Sequence, residues 1–297
     1  MSFSFPEPII KIIPKKLNID SNYGFVMIRH ITTDRHNTLW LDNYNNIRKY
    51  YPSDIKIMIV DDNSSFAPLH KLDSQYLASD PNLSIYYISE HAPELLSCGE
   101  ILGYYMFNKI KPPFKYAIVI HDSAIINKYI DFQEISKKCE CGIECIPIWM
   151  FDSTLLDNKD CIEILLNNLN NNDILWNTYK NQEKWIGCYG VMSVVSFDYI
   201  EKINKLFGIL NTNFIKIIKT SGGRKMRCSM ERIWGIIMSA MHNESYSIQN
   251  YGNHMSYFSD IISYFIINGY KCWYDNYNDY VNGIFDKLPI IKVWSGR

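Results

Sequence analysis

Short apolar runs and amphipathic segments alternate over residues 23–126. The run YGFVMIRH (23–30) predicts a buried strand. The segment after it repeats its apolar residues at three- and four-residue steps up to Pro52, which predicts an amphipathic helix. Further strands are predicted at DIKIMIVDDNSS (54–65), NLSIYYISEHAP (82–93) and FKYAIVIHDSAII (114–126), and a helix at ELLSCGEILGYYMFNKIKPP (94–113). This alternation predicts an α/β fold with a parallel, doubly wound sheet.

The second half of the chain has a more mixed pattern. CIPIWMFDS (145–153) predicts a strand, and KDCIEILLNNLNNND (159–173) predicts a helix followed by an Asn-rich loop. Residues 183–208 predict a turn, a strand and a helix. A basic, Gly-containing loop at 219–228 precedes an apolar helix that opens near Ser229. Because neither a linker nor an internal repeat interrupts the pattern, one domain is expected over 1–297, with halves at about 23–126 and about 127–297.

Polar residues close three of the predicted strands. Ligands of parallel α/β sheets bind beyond the carboxyl ends of the strands, and all three closures fall on that edge. A single polar strand end is typical of a turn, whereas three on one edge predict a ligand site. The residues concerned are Arg29, His30, Asp61, Asp62, His121, Asp122 and Ser123.

Composition narrows the class of protein. The chain has 297 residues, 47% of them hydrophobic, and a net charge of −1, so it can bury a large core and carries no global basic footprint for nucleic acid. The N-terminal stretch lacks the pattern of a secretory signal, and no apolar run reaches the ~18 residues of a membrane span. A cytoplasmic protein is expected. Abundant Ile, Asn, Lys, Tyr and Phe, all with AT-rich codons, are typical of large DNA viruses and of some protists. For a viral protein, the corresponding location is the host cytoplasm or the virion.

The eight cysteines are expected to be reduced thiols. CECGIEC (139–145) resembles a metal cluster, but it lacks paired C-x2-C knuckles and a following His at finger spacing. A loop of thiols is therefore favoured over a zinc site.

Residues 24–126 resemble the nucleotide-binding half of GT-A glycosyltransferases, especially the inverting, family 2-like members. The resemblance lies in VMIRH, in IKIMIVDDNSS, in the Gly-containing helix and in the apolar strand ending at HDS. It implies a GT-A fold, with a Rossmann-like nucleotide-binding half and a mixed acceptor-side half. It also implies that Asp61 and Asp62 hold the uracil and ribose of a nucleotide sugar, since carboxylates accept charge-assisted hydrogen bonds.

The resemblance places His121-Asp122-Ser123 where the family has its D-x-D motif, whose carboxylates hold Mn²⁺ or Mg²⁺ against the diphosphate. Both outer carboxylates are missing here. Asp122 is left as a metal ligand or as an acceptor from sugar hydroxyls, and His121 as a nitrogen ligand that suits manganese. Ser123 is at most a partner through water. The alternative is a strand-end turn capped by Asp and Ser.

Three residues of the second half complete the implied site. His254, in NYGNHMSYF, corresponds to the late histidine that often completes the metal shell. Glu231, in MERIWGI, corresponds to the general base, although a glutamate in the first turn of a helix also suits the helix dipole. Asp152, in WMFDS, is the second candidate for the base.

KWIGCYGV (184–191) is expected to bind the acceptor. Trp185 and Tyr189 are suited to stacking on a sugar face and Gly190 to close sugar approach, while core aromatics beside a turn are the alternative. Arg29 and His30 are expected to contact the nucleotide base or the diphosphate of the donor. SGGRKMR (221–227) is either a basic lid over the diphosphate or a solvated surface loop.

The expected activity is transfer of a sugar from a nucleotide-diphosphate sugar, most simply a UDP-sugar, to a hydroxyl of a glycan, protein or small molecule. Two alternatives stay open: a weak or inactive GT-A-like protein that binds sugar nucleotides or a partner, and a sugar nucleotidyltransferase. Absence of the P-loop, G-x-G-x-x-G and G-x-S-x-G patterns argues against P-loop enzymes, dinucleotide enzymes and α/β-hydrolases.

Overall fold

The computed structural model describes residues 22–140, 145–152, 158–181, 185–246, 272–275, 277–284 and 288–293. The strands in these ranges are β1 (Tyr23–Arg29), β2 (Ile57–Asp61), β3 (Leu83–Tyr87), β4 (Tyr116–His121), β5 (Ala124–Ile126), β6 (Cys145–Pro147), β7 (Met150–Asp152), β8 (Ile186–Cys188), β9 (Ser193–Ser196), β10 (Cys272–Asp275) and β11 (Ile290–Val293).

The helices in the same ranges are α1 (Asp34–Tyr50), α2 (Leu69–Ser79), α3 (Ile88–His91), α4 (Ile101–Ile110), α5 (Phe132–Glu140), α6 (Lys159–Asn167), α7 (Asn172–Lys180), α8 (Phe197–Phe207), α9 (Thr212–Thr220), α10 (Arg224–Tyr246) and α11 (Tyr277–Val281). Short 3-10 turns lie at Pro93–Leu95 and Tyr189–Val191. None of the helices described here has the length and apolar composition needed to cross a membrane.

The main sheet has six strands in the order β3-β2-β1-β4-β9-β6. The strands β3, β2, β1 and β4 run parallel, β9 is antiparallel to β4, and β6 is antiparallel to β9. Two smaller sheets accompany it: β10-β11-β5, in which β11 is antiparallel to β5, and the antiparallel pair β7-β8. The predicted α/β class is therefore confirmed, with a mainly parallel sheet flanked by helices.

Apolar side chains cover both faces of the sheet. Along β1, Val26 contributes to a cluster that contains Leu102 of α4 and Trp234 of α10. Its neighbour Met27 contributes to the opposite cluster, with Trp40 of α1. A strand buried on both faces needs an uninterrupted apolar run, and this explains the sequence pattern of YGFVMIRH.

Several predicted elements have different bounds. The helix predicted at 94–113 starts only at Ile101, because Ser97 (φ 68°) and Gly99 (φ 73°) are left-handed and cannot continue a helical turn. The strand predicted at 145–153 is two short strands, β6 and β7, which belong to different sheets. Helix α10 begins at Arg224, one turn and a half before the predicted start at Ser229.

Candidate active site

A cavity of about 520 Å³ opens at the carboxyl ends of β1 and β4. These strands are neighbours, but the chain proceeds from β1 to β2 on one side and places β4 on the other, so the strand order reverses between them. Such a switch point is where open α/β sheets bind ligands. The lining residues are Ile28, Arg29, His30, Asp62, Gly99, Glu100, His121, Asp122, Ser123, Trp149, Tyr189, Gly190, Met192, Arg224, Arg227, Cys228, Glu231, Lys292 and Val293.

Arg29 anchors the fold beneath this cavity. Its guanidinium is fully buried, donates from Nε to Asp61 at 2.7 Å and donates to both oxygens of Asp73 at 2.8 Å. It also lies over the ring of Trp40. Three of its N–H donors are bonded to two buried carboxylates, and its side chain ties β1 to β2 and α2. Because Arg29 also lines the cavity, its expected contact with the nucleotide base or the diphosphate stays a prediction.

The two aspartates at the end of β2 have different surroundings. Asp61 accepts from Arg29 and from both the amide and the hydroxyl of Ser64, and it is not among the lining residues. Asp62 lines the cavity and accepts from the amides of Ser97 at 2.6 Å and Gly99 at 3.0 Å. Burial raises the pKa of Asp62, although these two hydrogen bonds oppose the shift. Asp62 thus holds the left-handed 97–99 loop and retains acceptor positions toward the cavity.

Asp122 connects the ends of the two central strands. Its Oδ2 accepts from the backbone amide of His30 at 3.1 Å, and its own amide donates to the carbonyl of Ile28 at 2.9 Å. The ring Nδ1 of His30 donates in turn to the carbonyl of Asp62. All three predicted strand ends are therefore brought together at one cavity, as expected from a shared sheet edge.

His121, Ser123 and Lys292 form a connected polar group at the end of β4. The ammonium of Lys292 donates to Ser123 Oγ at 2.6 Å and lies 3.1 Å from His121 Nδ1. The other ring nitrogen, Nε2, lies 2.8 Å from the carbonyl of Gly190. Because a carbonyl only accepts and an ammonium only donates, both contacts require the neutral tautomer of His121 with its proton on Nε2.

The turn interpretation of HDS is also correct. Asp122 and Ser123 form the turn between β4 and β5, and the buried amide of Asn43 bonds to the carbonyls of His121 and Ala124 on either side of it. A third hydrogen bond runs from the amide of Ile126 to Asn43 Oδ1. The same residues thus serve as a braced turn and as the wall of the cavity.

Glu231 projects from α10 toward the end of the main sheet. Its Oε1 accepts from the amide of Gly190 at 2.8 Å, and its Oε2 lies 3.2 Å from Arg232. Burial is the largest influence on this carboxyl and raises its pKa to about 7, and the nearby Glu100 adds to the shift while Arg232 and Lys292 oppose it. A carboxylate with this pKa is matched to proton transfer near neutral pH.

Glu100 is a second carboxylate in the cavity wall. Its Oε2 is buried and has no hydrogen-bond partner in the described part of the chain. Buried polar atoms normally have partners, so an orphaned carboxylate oxygen beside Glu231 suits a ligand hydroxyl or amine.

The first two turns of α10 carry two of the cations that line the cavity. Arg224, Arg227 and Glu231 are spaced i, i+3 and i+7, so they share one face of the helix, and all three line the cavity. Arg227 packs on the 97–99 loop, where a Cβ on Gly99 would lie 2.5 Å from its Cδ. The expectation of a basic loop over residues 221–227 is corrected in part: Arg224, Lys225 and Arg227 belong to a helix, because the helix begins earlier than predicted.

Two aromatic residues form a further wall. The rings of Trp149 and Tyr189 lie 4.4 Å apart, and both line the cavity. Trp185, predicted beside Tyr189 as a stacking residue, is only 2% exposed, packs in the core and donates to the carbonyl of Tyr179 at 3.2 Å. The core alternative therefore describes Trp185, while Tyr189 and Gly190 are at the cavity as predicted.

The remaining predicted residues are the candidate metal ligands, the second candidate base and the cysteines. No group of three His, Cys, Asp or Glu residues that would hold a metal ion occurs among the described residues. His254 and Cys141 lie outside them. Asp152 ends β7 opposite Ile186 of β8, and its role as a base stays a prediction. Cys139 is buried in α5, and Cys145 Sγ lies 3.5 Å from Met238 Sδ.

The two outer residues of HDS face an ammonium group. Mn²⁺ and Mg²⁺ prefer carboxylate oxygens, whereas here the oxygen of Ser123 and one nitrogen of His121 face the ammonium of Lys292. The implied Mn²⁺ or Mg²⁺ cofactor therefore stays a prediction that depends on Asp122 and on His254.

Among the cavity residues that the sequence did not predict are Trp149, Glu100 and Lys292. Trp149 stands three positions before Asp152 in CIPIWMFDS, where the pattern predicts a strand, and Glu100 lies in a segment that predicts a helix. Lys292 lies 169 positions after Ser123. The sequence has no local signal for the last contact, because it arises only from the pairing of β11 with β5.

Comparisons with known proteins give a weak structural similarity. No model of a known protein family matches the chain, and no curated protein matches it. Similar solved structures include two crystal structures of S. aureus TarS 1–349, one of them in complex with UDP. Each has a TM-score of 0.32 and 12% identity, and each match covers 42% of this chain and 34% of the TarS chain. The chain thus spans about a third of the length of these relatives, and a similarity of this size does not bear on function.

Proposed function

We propose that the protein is a glycosyltransferase that moves a sugar from a nucleotide-diphosphate sugar, in the first instance a UDP-sugar, to an acceptor hydroxyl. One observation carries the proposal. Glu231, a carboxylate whose pKa is raised to about 7, shares one helix face with Arg224 and Arg227 and lines the cavity at the switch point of the sheet. A base and a pair of cations at one cavity are what transfer from a diphosphate leaving group requires.

The cations are assigned to the diphosphate. Arg224, Arg227 and Lys292 converge on the cavity from α10 and β11, and guanidinium groups bind phosphate oxygens in bidentate fashion. Asp62, behind Arg227, is assigned to the nucleoside, as the family resemblance implies. Asp61 is left out of this assignment because its oxygens are occupied by Arg29 and Ser64.

The chemical step uses Glu231 as the general base. The carboxylate takes the proton of the acceptor hydroxyl, the acceptor oxygen forms a bond to the anomeric carbon, and the bond from that carbon to the diphosphate oxygen breaks with its electrons. Arg224 and Arg227 stabilise the charge that develops on the departing diphosphate. General base catalysis of this kind contributes about 10²- to 10⁴-fold to the rate.

The other walls are assigned to the sugars. The Trp149–Tyr189 pair offers an aromatic face for a pyranose ring, and the buried oxygen of Glu100 accepts from one of its hydroxyls. Asp122 is assigned to the donor sugar at the turn that ends β4.

A two-stage experiment tests the proposal. Thermal shifts are measured with UDP-, GDP- and dTDP-sugars, each with and without Mn²⁺, and release of the nucleoside diphosphate is then measured for the wild type and Glu231→Gln. Stabilisation with turnover that Glu231→Gln abolishes supports the proposal. Stabilisation without turnover in any condition identifies a binding protein and rejects the enzyme. No shift with any nucleotide rejects both.

A further inference from the structure

We propose that Lys292 supplies, at the end of β4, the positive charge that a divalent cation supplies beside a D-x-D motif, so that the protein binds a nucleoside diphosphate without a divalent cation. This inference rests on the proposed function, since it concerns the same donor site. Its basis is the position of one ammonium group relative to HDS.

Strand pairing brings Lys292 to this position. In the antiparallel pairing of β11 with β5, Lys292 lies opposite Ala124, and the amide of Val293 donates to the carbonyl of Ser123 at 2.8 Å. The side chain then reaches Ser123 Oγ and His121 Nδ1, at 2.6 and 3.1 Å. The backbone register therefore places the ammonium beside the two residues that differ from the D-x-D pattern.

The departure of HDS from D-x-D lowers the negative charge of the motif, and Lys292 carries less positive charge than a divalent cation. A D-x-D motif contributes two carboxylates, which a divalent cation neutralises. In HDS the two outer carboxylates are replaced by an imidazole and a hydroxyl, and Lys292 brings one ammonium to these two side chains. A hydroxyl and an imidazole nitrogen, which are weak ligands for Mg²⁺, are good acceptors for an ammonium. His121 and Ser123, which would be weak ligands for Mg²⁺, therefore suit contact with the ammonium of Lys292.

The ammonium also lies in the electrostatic field of the reacting groups. Lys292 lines the cavity together with Arg224 and Arg227 and lowers the pKa of Glu231 through its charge. Three cations thus surround the region assigned to the diphosphate, and two are held by side-chain or loop contacts within the fold: Lys292 by His121 and Ser123, and Arg227 by the 97–99 loop. Such preorganised charge stabilises a developing oxyanion without a bound ion.

Titration calorimetry on the full chain tests this inference. The ligand is the nucleoside diphosphate among UDP, GDP and dTDP that stabilises the protein most, and the buffer contains either EDTA or Mn²⁺. The expected dissociation constants in the two buffers agree within about threefold, a difference of less than 1 kcal/mol. Binding that disappears in EDTA and returns with Mn²⁺ overturns the inference but leaves the proposed function intact. Absence of binding in both buffers is the separate failure of the proposed function.

Variants of Lys292 locate the charge. In EDTA, Lys292→Met is expected to weaken binding of the nucleoside diphosphate by about 10- to 100-fold, the range for a hydrogen bond to a charged group. Lys292→Arg is expected to retain most of the affinity. Lys137→Met removes the same charge from an exposed position on α5 and serves as the matched control.

The free nucleoside separates a charge effect from a structural one. Lys292→Met is expected to bind the nucleoside without phosphates as the wild type does, because the missing charge faces only the diphosphate. An equal loss for the nucleoside and its diphosphate overturns the assignment, and so does an unchanged diphosphate affinity. The wild-type comparison of EDTA with Mn²⁺ needs no variant, so it decides the inference even if Lys292→Met does not fold.

Discussion

The backbone amide of Gly190 donates to Glu231 Oε1 at 2.8 Å, so the candidate base is held by the main chain. The carbonyl of Gly190 lies 2.8 Å from His121 Nε2 on the other side of the same peptide turn. Gly190 is left-handed, with a φ of 59°, and a Cβ at this position would lie 2.6 Å from the His121 ring. One glycine therefore sets the positions of both the base and the histidine of HDS.

Gly190→Ala is expected to reduce transfer by about 10- to 100-fold, since a displacement of catalytic groups by an ångström has effects of this size. The added methyl group strains a left-handed residue and pushes on the His121 ring. Steady-state kinetics measure the loss. Gly208→Ala is the matched control, because Gly208 is also left-handed (φ 70°) but is not in the cavity lining. Equal activity of the two variants would contradict the role of Gly190.

Glu231→Gln is expected to reduce kcat/KM by about 10²- to 10⁴-fold, because the isosteric amide accepts from Gly190 but does not take a proton. In the wild type, kcat/KM is expected to rise with pH through an apparent pKa near 7 as the base ionises. The pH–rate profile measures both effects. Glu201→Gln, at an exposed position on α8, is the neutral control. An acid limb that persists unchanged in Glu231→Gln would show that another group is titrated.

The same carboxyl is expected to make stability depend on pH. Its folded pKa, about 7, lies above its ordinary value of 4.5, so the folded state favours the protonated form. The stability that this gives is fully present below pH 4.5 and is lost as the pH rises through 7. The shift corresponds to about 3 kcal/mol at pH 8. Urea unfolding should therefore find Glu231→Gln more stable than the wild type at pH 8 and equal to it at pH 4.5. Equal stability at both values would mean that Glu231 is not buried as described.

Trp149→Ala is expected to raise the KM of one sugar substrate by about three- to tenfold, since an aromatic contact is worth about 1 kcal/mol. Trp149→Phe should recover most of the loss because it keeps a ring beside Tyr189. Kinetics with donor and acceptor varied in turn identify the substrate that stacks. Trp176→Ala removes a partly exposed tryptophan of α7 that is outside the cavity lining, and it is expected to leave both KM values unchanged.

Asp73→Ala is expected to destabilise the protein by about 3–5 kcal/mol, because it leaves the fully buried guanidinium of Arg29 without its bidentate partner. The free energy of unfolding in urea measures the change. Asp198→Ala, which removes a 68% exposed carboxylate, is expected to change stability by less than about 0.5 kcal/mol. A small effect of Asp73→Ala would mean that the Arg29–Asp73 pair does not anchor α2.

Much of the first half of the fold is predictable because its elements bury apolar residues at regular intervals. The strands β1 to β4 and helix α1 follow that pattern. Helix α2 was missed for a physical reason: the residues that it buries are Leu69, Leu72 and Asp73, and the last is charged. A helix anchored by an ion pair lacks the apolar stripe from which helices are predicted.

The candidate site also has a part that the sequence predicts and a part that it does not. Three strand ends are local features of the sequence, and a parallel sheet necessarily brings them to one edge. The contacts of each strand end depend on partners elsewhere in the chain: Arg29 pairs with Asp61, and Lys292 becomes part of the cavity through the pairing of β11 with β5. Contacts between residues far apart in the chain are not visible in the sequence, whereas the residue types at each strand end are.

Helix α10 fixes the spacing between the arginines and the glutamate of the cavity. Arg227 and Glu231 are one helical turn apart, which separates their Cα atoms by about 6 Å along the axis, and Arg224 lies one further turn away. A flexible loop could adjust the distance between the groups that hold a leaving group and the group that activates an acceptor, but a helix does not. Substrates must therefore fit a fixed spacing, and any movement that brings the arginines closer to a donor carries the base with it.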